Sequence, residues 1–205
     1  MTKLYSYVVD HDYGENPNPY GGFCTLVHCK FNKSGKRRSI VEMADVGDWV
    51  IGTGGKSSES TGRNDCIIYI MRIDEKLSID DYYLDKRFKE RCDCFKQPNN
   101  TFALVSKHYC YFGKNAFDIS RLPANLQQDL CQTGQGYRRD NFTEDFINQL
   151  IAFFEKECGF KGQCGEPCCP TKEYFNQGME TTGGNEKGER KPCSPVTENK
   201  KGGCR

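Results

Sequence analysis

The chain has 205 residues and a formal net charge of +1, which suits one compact domain with a tail and supplies no global basic field to hold duplex DNA. Apolar residues make up 36% of it, beside 21 glycines, a balance that predicts an ordered body joined to a polar segment. The stretch Met1 to Val9 lacks a signal-peptide apolar region, and no run approaches the ~20 apolar residues of a membrane span. A cytoplasmic protein without a membrane partner is expected, with its 13 cysteines as reduced thiols rather than a disulfide framework.

Residues 3–9 alternate and are rich in Tyr and Val, which predicts a strand. Asp10 to Gly22 gathers Gly14, Pro17, Pro19, Gly21 and Gly22 into a long irregular loop, of the kind that often carries function. Phe23 to Phe31 returns to strand character, Asn32 to Ser39 is a polar basic turn, and Ile40 to Ala44 is a short ordered stretch. Gly47 and Asp48 are turn residues before the apolar run Trp49 to Gly54, and a polar loop leads to a second strand, Cys66 to Ile73. Ser78 is a fitting N-cap, with Asp80 and Asp81 in the first turn of a helix reaching about Phe88. Strands are predicted on either side of Lys107, over Thr101–Ser106 and His108–Phe112, and a helical segment over Ala124–Leu130. Phe142, Phe146, Ile147, Leu150, Ile151 and Phe154 recur at helical spacing, so the clearest helix runs from Thr143, its cap, to Glu157, with Gly159 to end it. Beyond Lys161 apolar residues thin out, and a flexible tail is expected.

Four constellations bear on chemistry. The Gly52–Ser57 run ends in Gly55-Lys56-Ser57 as a phosphate loop does, but Val50 stands where the first glycine belongs and no helix follows, so no ATPase site is predicted. Its backbone can still approach a ligand, with Lys56 near an anion. The loop Asp10-His11-Asp12-Tyr13-Gly14, with Asn18 and Tyr20, combines aromatic faces and polar groups of the kind that stack on and read a nucleobase. Lys30, Lys33, Lys36, Arg37 and Arg38 form a local basic turn that could meet phosphates. His11, His28 and His108 have no zinc-ligand spacing, and Cys164, Cys168 and Cys169 are the best of the weak metal candidates, in a pattern unlike a standard zinc knuckle. No cofactor is predicted, zinc being the one to watch.

The Gly47-Asp48 entry into an apolar strand resembles that of PUA-like barrels, which include the EVE, YTH and ASCH domains and mostly bind nucleobases. More specifically, Tyr5-Ser6-Tyr7-Val8-Val9, Asp12-Tyr13-Gly14, Pro17-Asn18-Pro19, Gly22-x-Cys24-Thr25-Leu26, Cys29-Lys30, Val46 to Gly54, Tyr82, Arg87-Phe88, Tyr111-Phe112-Gly113 and Gly165-Glu166-Pro167-Cys168 together resemble the nucleotide-modification-associated domain family of the second type. The resemblance covers roughly residues 3–169 and implies work near modified nucleotides, including phage–host conflict.

The expected fold is therefore α+β: a small PUA-like mixed β-barrel with peripheral helices over residues 1–169, and a flexible Cys-containing C-terminal tail over 170–205. The expected partner is a nucleotide or nucleic acid containing a modified base. Trp49, Tyr13 and Tyr111 are expected to stack, Asp12, Asn18 and Thr53 to read the base edge, Gly54 to admit it, and Lys30 and Lys56 to meet phosphate. An alternative is a small hydrolase whose chemistry resembles that of ASCH amidohydrolases, with Thr25, Lys30 and either Glu42 or Glu75. Thr25 and Lys30 have opposite strand parity, so a bulge would be needed to join them. A third possibility is a protein-interaction module with a zinc-binding tail.

Overall fold

The computed structural model describes residues 2–27, 39–93, 102–127, 130–131 and 136–178. Among these described residues, ten strands and four α-helices follow in chain order: β1 (Leu4–Val9), β2 (Cys24–Leu26), α1 (Ile40–Met43), β3 (Trp49–Gly54), β4 (Cys66–Arg72), β5 (Glu75–Ser78), α2 (Ile79–Leu84), β6 (Phe102–Ser106), β7 (Tyr109–Tyr111), β8 (Phe117–Asp118), β9 (Tyr137–Arg138), α3 (Glu144–Glu157), β10 (Lys161–Gln163) and α4 (Lys172–Phe175). The larger sheet runs β10-β7-β4-β3-β1-β9, with β8 on another part of β4; β2, β6 and β5 make a second sheet. The α+β class is as expected. Among the described residues the strands form two sheets, with no closed barrel.

β1 and β3 pair in parallel from Leu4↔Trp49 to Val9↔Gly54, and all twelve positions are buried. Strands covered on both faces read as near-continuous apolar runs, which is why this pair is plain in the sequence. One face presents Tyr5, Tyr7, Val50, Tyr69 and Met71 to Leu26 and Leu104 of the smaller sheet and to α1. The other presents Leu4, Trp49, Ile51, Ile70 and Cys110 to Ile147, Leu150 and Phe154 of α3. The body is thus three layers, with the larger sheet in the middle. The β3–β4 register shifts between Gly52 and Thr53, and Gly52 is required there: a Cβ would lie 2.2 Å from the Tyr69 ring.

Asp48 explains the Gly-Asp entry. Its carboxylate accepts the Lys3 and Asp45 backbone N–H groups at 2.9 and 3.0 Å, while Gly47 turns at φ 94°, a conformation natural to glycine. The Ser78 hydroxyl caps α2 by accepting the Asp81 N–H at 3.1 Å, but the helix stops at Leu84, short of Phe88. The helix expected after Pro123 is a single 3-10 turn, Ala124–Leu126. Thr143 Oγ1 accepts the Phe146 N–H at 3.2 Å and caps α3. Replacing it with Ala is expected to destabilise the protein by about 1 kcal/mol, read as a lowered midpoint in urea with an unchanged slope.

The packed body also extends past residue 169. Thr171 caps α4 by accepting the Tyr174 N–H at 3.2 Å, and Tyr174 and Gln177 are buried. Residues 179–205, where the polar tail is expected, lie outside the described residues, as do the basic turn with Lys30 and His28. The cysteines also depart from expectation at one point, since Cys110 of β7 and Cys158, at the end of α3, form a disulfide. Among the described residues no helix is long and apolar enough to cross a membrane.

Candidate functional site

Because β1 and β3 are parallel and in register, their following loops leave the same end of the sheet. Ser60 binds both strand ends together: its hydroxyl donates to the Val9 carbonyl at 2.6 Å and accepts the Gly55 N–H at 2.9 Å. The Asp12 N–H donates to the Glu59 carbonyl at 2.8 Å. Gly55 packs so closely that a Cβ would lie 3.1 Å from the Val9 carbonyl oxygen. The two segments nominated separately in the sequence, Asp10–Gly14 and Gly52–Ser57, the latter running from the end of β3 into its loop, therefore meet on one surface.

Its inner part is a buried carboxyl–phenol pair. Asp12 is fully buried, accepts a short hydrogen bond from the Tyr111 hydroxyl, and accepts the Cys168 N–H at 2.9 Å. Burial raises the Asp12 pKa above the usual carboxylate range, against the lowering effect of those bonds. Burial, followed by the Asp12 charge, pushes the Tyr111 hydroxyl well up. A carboxyl that binds its proton more tightly when folded makes stability fall as pH rises from its unfolded toward its folded pKa. Unfolding curves across the acid range should therefore show wild type losing stability relative to Asp12→Asn as pH rises; a gain would contradict the assignment.

The outer part is partly open, with His11 exposed and Tyr13 half-buried. The His11 and Tyr13 rings stack with centroids 5.6 Å apart and planes at 6°. Glu59 holds both, with an oxygen 2.7 Å from His11 Nδ1 and a hydrogen bond to the Tyr13 hydroxyl, whose pKa is pushed up to about 12, first by burial and then by that bond. Lys56 is exposed on the neighbouring loop.

Asn18 belongs to a polar seam beneath the 10–22 loop. Its side-chain amide donates to Gln177 at 2.6 Å, its side-chain oxygen accepts the Tyr20 N–H at 3.1 Å, and its backbone pairs with Thr25. Arg91, 5% exposed, donates to the Asn18 carbonyl at 2.6 Å and to Thr25 Oγ1 at 3.1 Å, and also to the Tyr20 carbonyl. Asp93, fully buried, accepts from Thr25 and, at 3.0 Å, from the Tyr82 hydroxyl. Neither Arg91 nor Asp93 figured among the sequence candidates. The one cue was a charged pair around Cys92 after the aromatic stretch that contains Tyr82, Tyr83 and Phe88.

The other candidates scatter. Trp49 sits at the opposite end of β3, roughly 17 Å from Gly54 at the usual strand rise, buried against Phe160 and beside His108. Thr53 is buried, its hydroxyl donating to the Tyr7 carbonyl at 3.1 Å. The hydrolase set is not brought together. Thr25 faces Asp93, Glu42 accepts the Ser39 N–H at the start of α1 at 3.2 Å, and Glu75 pairs with Arg87 at 2.7 Å. Thr25 and Glu75 share a cross-strand row, but Val105 stands between them, and Lys30 lies outside the described residues. Cys164 is exposed, Cys168 buried and Cys169 half-buried; among the described residues no group of three or more His, Cys, Asp or Glu is placed to hold a metal.

The fold and this surface define a mixed α+β domain with a polar and aromatic site at the end of a parallel strand pair. The chain belongs to the family described as nucleotide modification associated domain 2, whose model matches residues 1–102 and 93–174. That membership gives it a role linked to nucleotide modification. The chain has no significant match to a curated protein or to a solved structure.

Proposed function

We propose that this end of the sheet binds a modified nucleobase, free or within a nucleic acid. The observation that carries the reading is the convergence of the β1 and β3 loops on one surface with a partly exposed aromatic stack and an exposed lysine. Tyr13 supplies the stacking face and Lys56 meets phosphate, while Asp12, Tyr111, Asn18 and Thr53 hold the loops from within. A base in a duplex would have to leave the stack to reach Tyr13. The setting is enzymatic DNA modification in the cytoplasm, including conflict between phage and host, and family membership supports it. The Gly47–Asp48 entry into β3 supports kinship with PUA-like barrels.

The test is a panel of canonical and modified nucleosides, nucleotides and short oligonucleotides, read by thermal shift and product mass together. At least one modified ligand should stabilise the protein by mass action. Tyr13→Ala should weaken that ligand by about 1–3 kcal/mol, the usual worth of one base–aromatic stack. No stabilisation across the panel would defeat the proposal for those ligands.

A further inference from the structure

We propose that His11 is the proton-accepting group of this site and that Glu59 is its positioning residue, which gives the site a hydrolytic chemistry that Thr25, Glu42 and Glu75 cannot assemble. The inference takes the site's location from the nucleobase reading but can fail separately from it.

Glu59 Oε2 lies 2.7 Å from His11 Nδ1. A carboxylate can only accept, so Nδ1 carries the proton and the Nε2 lone pair is directed away from the carboxylate. Nε2 has no hydrogen-bond partner among the described residues, and the His11 side chain is 55% exposed. The stack on Tyr13 fixes the plane of the ring, and the Tyr13 hydroxyl bonds the same Glu59 carboxylate. Glu59 is itself held by its backbone, which donates to Ser57 Oγ at 3.1 Å and accepts from Asp12. An imidazole with one nitrogen on a carboxylate and the other open is the arrangement that general-base and nucleophilic catalysis require. Residues 10–15 also carry Asp10, Asp12, Tyr13 and Glu15, and residues 55–65 carry Lys56, Glu59, Arg63 and Asp65, as the charged or titratable groups of the two loops around it.

His108 provides a contrast within the chain. Its Nε2, rather than Nδ1, faces a carboxylate, at 3.8 Å from Glu155, and its ring lies against Phe160. In the step proposed for His11, Nε2 takes a proton from water as the water oxygen bonds to an acyl carbon of the ligand. The carbonyl pair moves to oxygen, and on collapse the leaving alkoxide or amine takes the proton back from Nε2.

The experiment uses p-nitrophenyl acetate as the acyl probe and nitrogen-15 NMR of the histidine rings. Hydrolysis above the uncatalysed rate is expected, at least about ten-fold lower in His11→Gln and in Glu59→Ala, and unchanged in His108→Gln. The His11 ring should carry its proton on Nδ1 in wild type and lose that preference in Glu59→Ala, a change that a purely structural Glu59 would not cause. No hydrolysis above background, an unchanged rate in His11→Gln, or the same tautomer in Glu59→Ala would each overturn the proposal. Binding of the nucleotide panel with an inert His11 would leave the nucleobase reading standing while this one fell.

Discussion

Replacing Arg91 with Leu is expected to destabilise the protein by about 3–5 kcal/mol, because it leaves a carboxylate buried without its compensating charge. Arg91 Nε lies 3.8 Å from Asp93 Oδ1, with side-chain exposures of 2% and 0%. The same guanidinium holds the carbonyls of Asn18 and Tyr20 and the hydroxyl of Thr25. Its loss therefore removes a donor from three acceptors as well as the charge facing Asp93; the Asn18 and Tyr20 carbonyls keep the Thr25 and Phe23 N–H groups at 2.9 and 3.3 Å, so the lost bonds add to the cost without leaving those acceptors bare. The 16–22 segment would loosen with it, since Arg91 is one of its anchors. Converting both Arg91 and Asp93 to Leu should cost less than the sum of the two single changes, because the double variant leaves no unpaired charge. Urea unfolding of the four proteins measures this directly. A loss below about 1 kcal/mol in Arg91→Leu, the range of exposed ion pairs, would mean that the pair is solvated.

The second large effect is expected at Gly54, where structure and site are joined. A Cβ there would lie 2.2 Å from Thr61 Oγ1, 2.4 Å from the Arg63 carbonyl oxygen and 2.5 Å from Cys66 Sγ. The Thr61 side chain could turn away, but the Arg63 carbonyl is backbone, so the loop between β3 and β4 must move. Overpacking of this kind costs about 1–3 kcal/mol. The displaced loop carries Lys56, Glu59 and Ser60, so Gly54→Ala should also separate Glu59 from His11 and weaken ligand binding beyond its effect on stability. Gly62→Ala is the control. It has open space at its Cβ position but a φ of 73°, so it carries backbone strain without the collision, and it should retain binding.

The parts of the fold visible in the sequence are those whose periodicity is long. β1, β3 and β4 are continuous buried runs, and α3 has an apolar face with a threonine cap and a terminal glycine, so each is specified locally. β8, β9 and β10 are two or three residues long, too short for any period to show. α4 is a single turn whose burial depends on the 10–22 loop, as Tyr174 against Gly14 shows. The same distinction governs the site. Of the residues in the proposed site, Asp12, Tyr13, Gly54 and Lys56 are marked by loop composition alone. Asp12 and Tyr111 are 99 positions apart, and only the fold makes them partners rather than two independent ligand groups. His11 read as an isolated histidine because Glu59 reaches it from the loop after β3. Trp49 misled for the opposite reason: an aromatic beside a Gly-Asp turn looks available for stacking, but its strand is covered on both faces.

Amide chemical-shift mapping with the ligand that gives the largest thermal shift would test the central claim most directly. The account predicts perturbations concentrated in residues 10–14 and 54–61, with little change at Trp49, His108 and Phe160. Perturbations concentrated at the Trp49 end, or spread over α3 with none in those two loops, would contradict it.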